Sequence, residues 1–188
     1  QTAQAEAGSY QTRSLSYGLT HKTGALEATL NLSHFKTDGF SAFDGGTEAD
    51  GAEVNRVSAT LRYQVSDTLA LGGALFHQRG RSEYDGYDLV TFAFEDQANV
   101  QNRQETGARL FAELSLGKTE HVFDATSYRV RRDVSDENGV GSFTGNRQTF
   151  GWQATTEVNE ALTLVYGADT MQEKATYTSL TGGKADTR

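Results

Sequence analysis

From Val57 to Val65 the chain reads Val-Ser-Ala-Thr-Leu-Arg-Tyr-Gln-Val, with an apolar or aromatic side chain at every odd position and a polar one at every even position. Successive strand side chains point to opposite faces, whereas a helix would spread both kinds around its surface. The same period runs through Leu26, Ala28, Leu30 and Leu32, and through Ala108, Leu110, Ala112, Leu114 and Leu116, where Phe111 alone breaks the rule. It returns at Phe150, Trp152, Ala154, Thr156 and Val158, and at Leu162, Leu164, Tyr166 and Ala168. Weaker versions lie at Leu15 to Leu19, Leu69 to Gln78 and His121 to Arg131. The chain has no proline, so no residue lacks the N–H a ladder needs.

The reading is an all-β antiparallel up-and-down meander of about eight strands, each roughly 9 to 13 residues, longer than the usual five or six. Turn-forming residues at His21-Lys22-Thr23-Gly24, Ser66-Asp67-Thr68, Gly117-Lys118-Thr119-Glu120 and Asn159-Glu160 join strands tightly in pairs. Between the pairs lie long connections: Lys36 to Asn55, Gly80 to Gln104, Arg132 to Gln148, and Thr176 onward. Short and long connections alternate, as in a meander with one trimmed rim and one elaborated rim.

Charge separates the two faces. Glu27, Arg62, Arg109, Glu113, Glu157 and Asp169 stand in mid-strand on the polar side, while the other side is Leu, Ala, Val and Tyr without a charge. A transmembrane barrel wall has this pattern, apolar toward lipid and polar toward a lumen, with strands of about 9 to 11 residues in the membrane. A soluble β-sandwich is the alternative. Tyr10, Tyr17, Phe35, Tyr63, Phe150 and Trp152 fall where interfacial girdle residues would. Mean hydropathy of -0.57 and 36% apolar residues do not oppose a barrel, because half its wall and all its loops are polar.

Other classes are excluded more quickly. There is no cysteine, hence no disulfide framework, thiolate metal site or cysteine nucleophile. No apolar run approaches the roughly 18 residues of a spanning helix. A net charge of -8 without a basic stripe speaks against nucleic acid. His21, His34, His77 and His121 are scattered, with no pair at metal spacing and no Ser, His and Asp set, so no enzyme is expected.

The stretch His34-Phe35-Lys36-Thr37-Asp38-Gly39-Phe40-Ser41-Ala42-Phe43, the acidic segment Glu48 to Val57, the turn Tyr63-Gln64-Val65-Ser66-Asp67-Thr68-Leu69 and the loop Glu83-Tyr84-Asp85-Gly86-Tyr87-Asp88 resemble the barrel of TonB-dependent outer-membrane receptors, and within them the cobalamin transporters. The resemblance covers nearly the whole chain. It implies residues 1–188 as one partial barrel domain, about a third of a barrel of roughly 22 strands, with the plug and the TonB-contacting segment outside it. It implies a place in the Gram-negative outer membrane among its lipids, a cobalamin or related corrinoid ligand, and energy supplied by TonB. A siderophore or sugar receptor and a small stand-alone structural or adhesive barrel are the rivals, with a barrel hydrolase behind them.

Asp38, Asp44, Glu48, Asp50 and Glu53 crowd one long connection and Asp85 and Asp88 the next. Hard cations such as calcium take six to eight oxygen ligands from carboxylates and carbonyls, and a solvated acidic loop has the same composition. The resemblance assigns calcium to Asp44, Asp50, Asp85 and Asp88. Tyr84 and Tyr87 are the substrate-contact candidates. Gly72-Gly73 falls mid-strand, where a bend or a close approach by the plug is expected.

Overall fold

The computed structural model describes residues 1–46, 48–88, 90–136, 139–178 and 184–187, the last four as backbone alone. Among them there is no helix. Ten strands form one sheet: β1 (Thr2–Ala7), β2 (Arg13–Thr23), β3 (Leu26–Thr37), β4 (Ala52–Gln64), β5 (Leu69–Tyr87), β6 (Phe94–Leu116), β7 (Thr119–Asp136), β8 (Gly139–Asn159), β9 (Leu162–Thr178) and β10 (Lys184–Thr187). Each pairs antiparallel with its neighbours in chain order. The sheet is an open meander.

The tight turns fall where the sequence places them. Gly24 and Gly117 adopt φ of 51° and 59°, the left-handed conformation that glycine enters without a Cβ penalty. The register carries the alternation across the sheet. Leu26 faces Tyr63, Leu61 faces Gly73, Gly73 faces Leu110, Leu110 faces Ala125 and Ala125 faces Phe150. All these residues therefore share one face, which forms an apolar band across β3 to β8.

Two expectations are corrected. The strands are longer and more numerous, with β5 to β9 running 17 to 23 residues. Most of Gly80 to Gln104 and of Arg132 to Gln148 is strand rather than loop. The apolar period stops where the polar stretches begin, but the ladder needs only backbone N–H and C=O and runs on, pairing Arg81 with Asn102 and Arg132 with Phe143. Phe35 is the other correction. It faces Val54 on the polar side of the sheet, while Tyr17, Tyr63, Phe150 and Trp152 lie on the apolar face. Trp152 stacks with His121 and Phe123 and meets Tyr166 edge-on at 5.8 Å.

Almost nothing is buried. Ala70 and Ala154 are the only buried apolar residues among those described, and no large side chain is fully enclosed. Leu61, Leu75, Leu110 and Phe150 are 50%, 65%, 69% and 60% exposed on the apolar face. On the polar face Arg62 Nε and Nη2 donate to Glu113 Oε2 at 3.0 and 2.8 Å across the intervening β5. Phe111 lies over Gly72: a Cβ there would come within 2.1 Å of its ring. The exception to the alternation and the mid-strand glycine thus explain each other, with Arg109 at 5.1 Å from the same ring.

Candidate functional site

The site lies at the long-connection end of β3 to β6. Gly39 turns the chain out of β3 at φ 68°, and a Cβ there would meet the Asp50 carbonyl at 2.0 Å, so the two ends of segment 38–51 touch. The Asp50 N–H donates to Phe40 O at 3.4 Å and the Ala42 N–H to Asp50 Oδ2 at 2.8 Å, closing the segment on itself. Two backbone bonds tie it to the sheet. The Asp38 N–H donates to Tyr10 O at 2.9 Å, and the Glu83 N–H to Gly51 O at 2.9 Å.

This closure brings carboxylate oxygens of Glu48, Asp50 and Asp85 within 4.8 Å of one another. Asp85 is held at the register shift between Tyr84 and Gly86 in β5. Its Oδ1 accepts the Gln97 N–H at 3.0 Å, its Oδ2 accepts Ser41 Oγ–H at 3.4 Å, and it is 7% exposed. Gly86 has a packing reason, since a Cβ there would meet Gln97 Oε1 at 2.4 Å and Asn99 Nδ2 at 2.7 Å.

Among the described residues, three buried acceptors at this end of the sheet have no hydrogen-bond partner: Glu48 Oε1, Asp50 Oδ1 and Asn99 Oδ1. Desolvation, reinforced by Asp96, Asp50, Asp85 and Glu83, raises the Glu48 carboxyl above the usual carboxylate range. Burial likewise raises Asp50, against the bond it receives from Ala42 and with the help of Asp85. An unpaired buried acceptor costs about 1 to 3 kcal/mol, more when charged. The cluster therefore has two ways to relax, a proton or a cation. An all-oxygen set of three carboxylates suits a hard divalent cation such as calcium, with further ligands drawn from carbonyls or water.

The site differs from the four aspartates assigned by resemblance. Asp50 and Asp85 come together, and Glu48 joins them. Asp44 is exposed on the outer part of the loop. Asp88 caps its own turn: its Oδ1 accepts the N–H groups of Val90 and Thr91 at 2.8 and 2.6 Å, and these bonds lower its carboxyl below the ordinary value. A carboxylate committed to a local Asx turn is held away from the cluster. Glu48 carried a signal in its Glu-x-Asp spacing with Asp50 inside a glycine-rich loop. Gln97 and Asn99 carried none, because their stretch reads as loop.

Of the two tyrosines, Tyr84 is half-buried, with its hydroxyl raised by burial and by Asp136. Tyr87 is 65% exposed, packed edge-on against Phe94 at 5.1 Å, and Phe94 in turn meets Phe43 at 6.1 Å. The exposed aromatic surface therefore belongs to Tyr87. No family model matches the chain, and no curated protein matches it.

Proposed function

We propose that this chain is part of the wall of a transmembrane β-barrel in the outer membrane of a Gram-negative bacterium, and that the barrel is a TonB-dependent receptor for cobalamin or a related corrinoid. The observation that carries the membrane reading is the sheet's lack of a core. Ordering a residue costs about 1 to 2 kcal/mol of backbone entropy, and a sheet that buries two alanines among its apolar residues has no interior to offset that. Its uninterrupted exposed apolar face requires an apolar phase outside the chain, and hydrocarbon supplies one. Polar residues such as Arg62 and Glu113 then face a lumen, short turns face the periplasm, and the long hairpins face outward.

The wall positions the ligand-binding ends of the hairpins. Glu48, Asp50 and Asp85 hold a calcium ion, whose charge offsets their mutual repulsion and fastens segment 38–51 to β5. Tyr87 and Phe94 offer an aromatic surface for a flat macrocycle. The choice of a corrinoid and of TonB as energy source rests on the sequence resemblance. Two measurements on the full-length protein test this reading. Spin labels at Leu61 and Leu110 are expected to collide with oxygen and be shielded from a water-soluble nickel chelate; the reverse order refutes the membrane wall. Cyanocobalamin binding is expected to weaken when calcium is chelated, and no binding under either condition refutes the corrinoid assignment.

A further inference from the structure

Four aspartates are followed directly by glycine: Asp38-Gly39, Asp44-Gly45, Asp50-Gly51 and Asp85-Gly86. In such a step the glycine nitrogen can close a five-membered ring on the aspartate Cγ, and the glycine has no Cβ to block the approach. The structure treats the four steps differently. The Gly39 N–H donates to Thr37 Oγ1 at 3.1 Å, and the Gly51 N–H to Ala49 O at 3.1 Å and to Glu83 Oε2 at 3.2 Å. Asp50 Oδ2 is held by the Ala42 N–H. Asp85 is buried with its Oδ1 held by the Gln97 N–H, and Gly86 lies within β5 opposite Glu95. Asp44-Gly45 has none of these restraints. Both residues are exposed, in the middle of a turn that the Gly46 N–H closes by donating to Phe43 O at 3.0 Å. Among the described residues, neither the Asp44 carboxylate nor the Gly45 N–H has a hydrogen-bond or ion-pair partner. Gly45 adopts φ of 87°, and a Cβ built on it would meet nothing within 4 Å, so open space surrounds the step.

We propose that Asp44 is a self-modification site, at which the chain rearranges to isoaspartate through a succinimide and so loosens segment 38–51. The Gly45 nitrogen attacks Asp44 Cγ. A C–N bond forms as one carboxyl oxygen departs as water, carrying the amide proton and one proton from solvent. A second water then opens the ring at the former main-chain carbonyl, so that the chain runs through Cγ and the α-carboxylate becomes the side group. Opening at Cγ instead restores aspartate. One water leaves and one returns, so mass is unchanged and no oxidant or cofactor enters. The product carries one more methylene in the main chain between Phe43 and Gly45. That insertion falls inside a closed path, because the bonds from the Asp50 N–H to Phe40 O and from the Ala42 N–H to Asp50 Oδ2 join the two sides of the turn. A longer path weakens both bonds. Glu48 lies on the same path, so the change reaches the carboxylate cluster. Its effect on calcium rests on the calcium reading above, whereas the rearrangement itself does not.

The test ages the full-length protein at neutral pH and physiological temperature and maps it by proteolysis, with isoaspartate located by electron-transfer fragmentation. Isoaspartate is expected at residue 44 roughly tenfold or more faster than at residues 38, 50 and 85, the factor that one hydrogen bond on the nucleophile or the carboxylate adds to the barrier. Deamidation at Asn138-Gly139 is told apart by its change in mass. Asp44→Glu keeps the charge but needs a six-membered ring, and is expected to abolish the product at this turn. Equal rates at the four steps, or a faster rate at any of the other three, overturn the proposal. Amide exchange across segment 38–51 in calcium-free buffer gives the second readout. It is expected to be faster in aged than in fresh wild-type protein and the same in aged and fresh Asp44→Glu. Unchanged exchange after residue 44 has converted overturns the loosening, as does an equal rise in aged Asp44→Glu. A protein that converts and loosens yet binds no calcium leaves this inference standing and refutes the calcium reading; one that binds calcium yet never converts at residue 44 does the reverse.

Discussion

Replacing Leu110 by arginine separates a membrane wall from a water-facing sheet by energy. Leu110 is 69% exposed and lies six residues before Leu116, the last residue of β6. At about 3.3 Å per residue and a tilt near 45°, those six residues place it roughly 14 Å above the short-turn edge, close to the middle of an apolar band about 25 Å tall. Arginine at the midplane of a barrel wall costs about 2 to 4 kcal/mol and only about 0 to 1 near an interface. In water, a polar substitution at so exposed a site costs within about 0.5 kcal/mol. Unfolding of the full-length protein by guanidinium in phospholipid vesicles, with reversibility checked, is therefore expected to show Leu110→Arg destabilised by about 2 to 4 kcal/mol and Leu116→Arg by about 1 kcal/mol or less. The gradient matters more than either value, because a general loss of packing would not order the two positions by depth. A Leu110→Arg protein as stable as wild type to within about 0.5 kcal/mol refutes the reasoning.

Three other outcomes follow from the same geometry. Gly72→Ala sets a methyl group against the Phe111 ring and is expected to destabilise by about 1 to 3 kcal/mol, with Phe111→Ala in the same chain recovering most of the loss; additive costs in the double-mutant cycle would deny the contact. Glu48→Gln or Asp50→Asn is expected to weaken calcium binding at least tenfold by isothermal titration calorimetry, while Asp44→Asn and Asp88→Asn leave it unchanged; equal losses at all four would reinstate the wider ligand set. The pH response has a definite sign. Glu48 and Asp50 have folded-state values raised above their unfolded ones, so the folded loop binds more protons, and their contribution to its stability is present below the unfolded values and lost as pH rises through the raised ones. In calcium-free buffer, amide exchange across segment 38–51 is accordingly expected to be faster at neutral pH than near pH 4, after correction for intrinsic rates, and calcium is expected to slow it at neutral pH; a loop that opens on acidification contradicts this account.

The sequence reveals what depends on period two and hides what depends on backbone alone. Val57 to Val65 and Ala108 to Leu116 define their strands and their apolar face, because alternation is a side-chain property visible in composition. In the outer halves of β5 to β8 neither face keeps an unbroken apolar period, so nothing in Asn99 to Arg103 distinguishes a paired strand from a solvated loop. Gly72 and Phe111 each look anomalous alone, and only the register that sets them opposite each other resolves both. In the acidic cluster, Asp50 and Asp85 are legible as carboxylates of neighbouring connections. The exchange of Asp88 for Glu48 is not, because it depends on the Asx turn that occupies Asp88 and on the fold of segment 38–51 that carries Glu48 back to β5.

The extended hairpins also determine how a closed loop would be felt by the sheet. Asp85 sits on β5, the same continuous strand that carries Leu71 and Leu75 on the apolar face and, between them, Gly72 against Phe111. Segment 38–51 reaches that strand through the hydrogen bonds between Gly51 and Glu83, through the Ser41 hydroxyl donated to Asp85, and through the carboxylate cluster. Three carboxylates within 4.8 Å repel one another, so without a proton or a cation the cluster opposes the hydrogen-bonded attachments. Neutralising the cluster removes that opposition and leaves the loop fixed at all of these points. The rigidity of the site is then set by one electrostatic contact, while its position is set by a ladder running from the short turns to the hairpin tips. Substitutions deep in the sheet, such as Gly72→Ala, should accordingly change stability without changing calcium affinity, whereas Glu48→Gln should weaken calcium affinity while steadying the calcium-free loop.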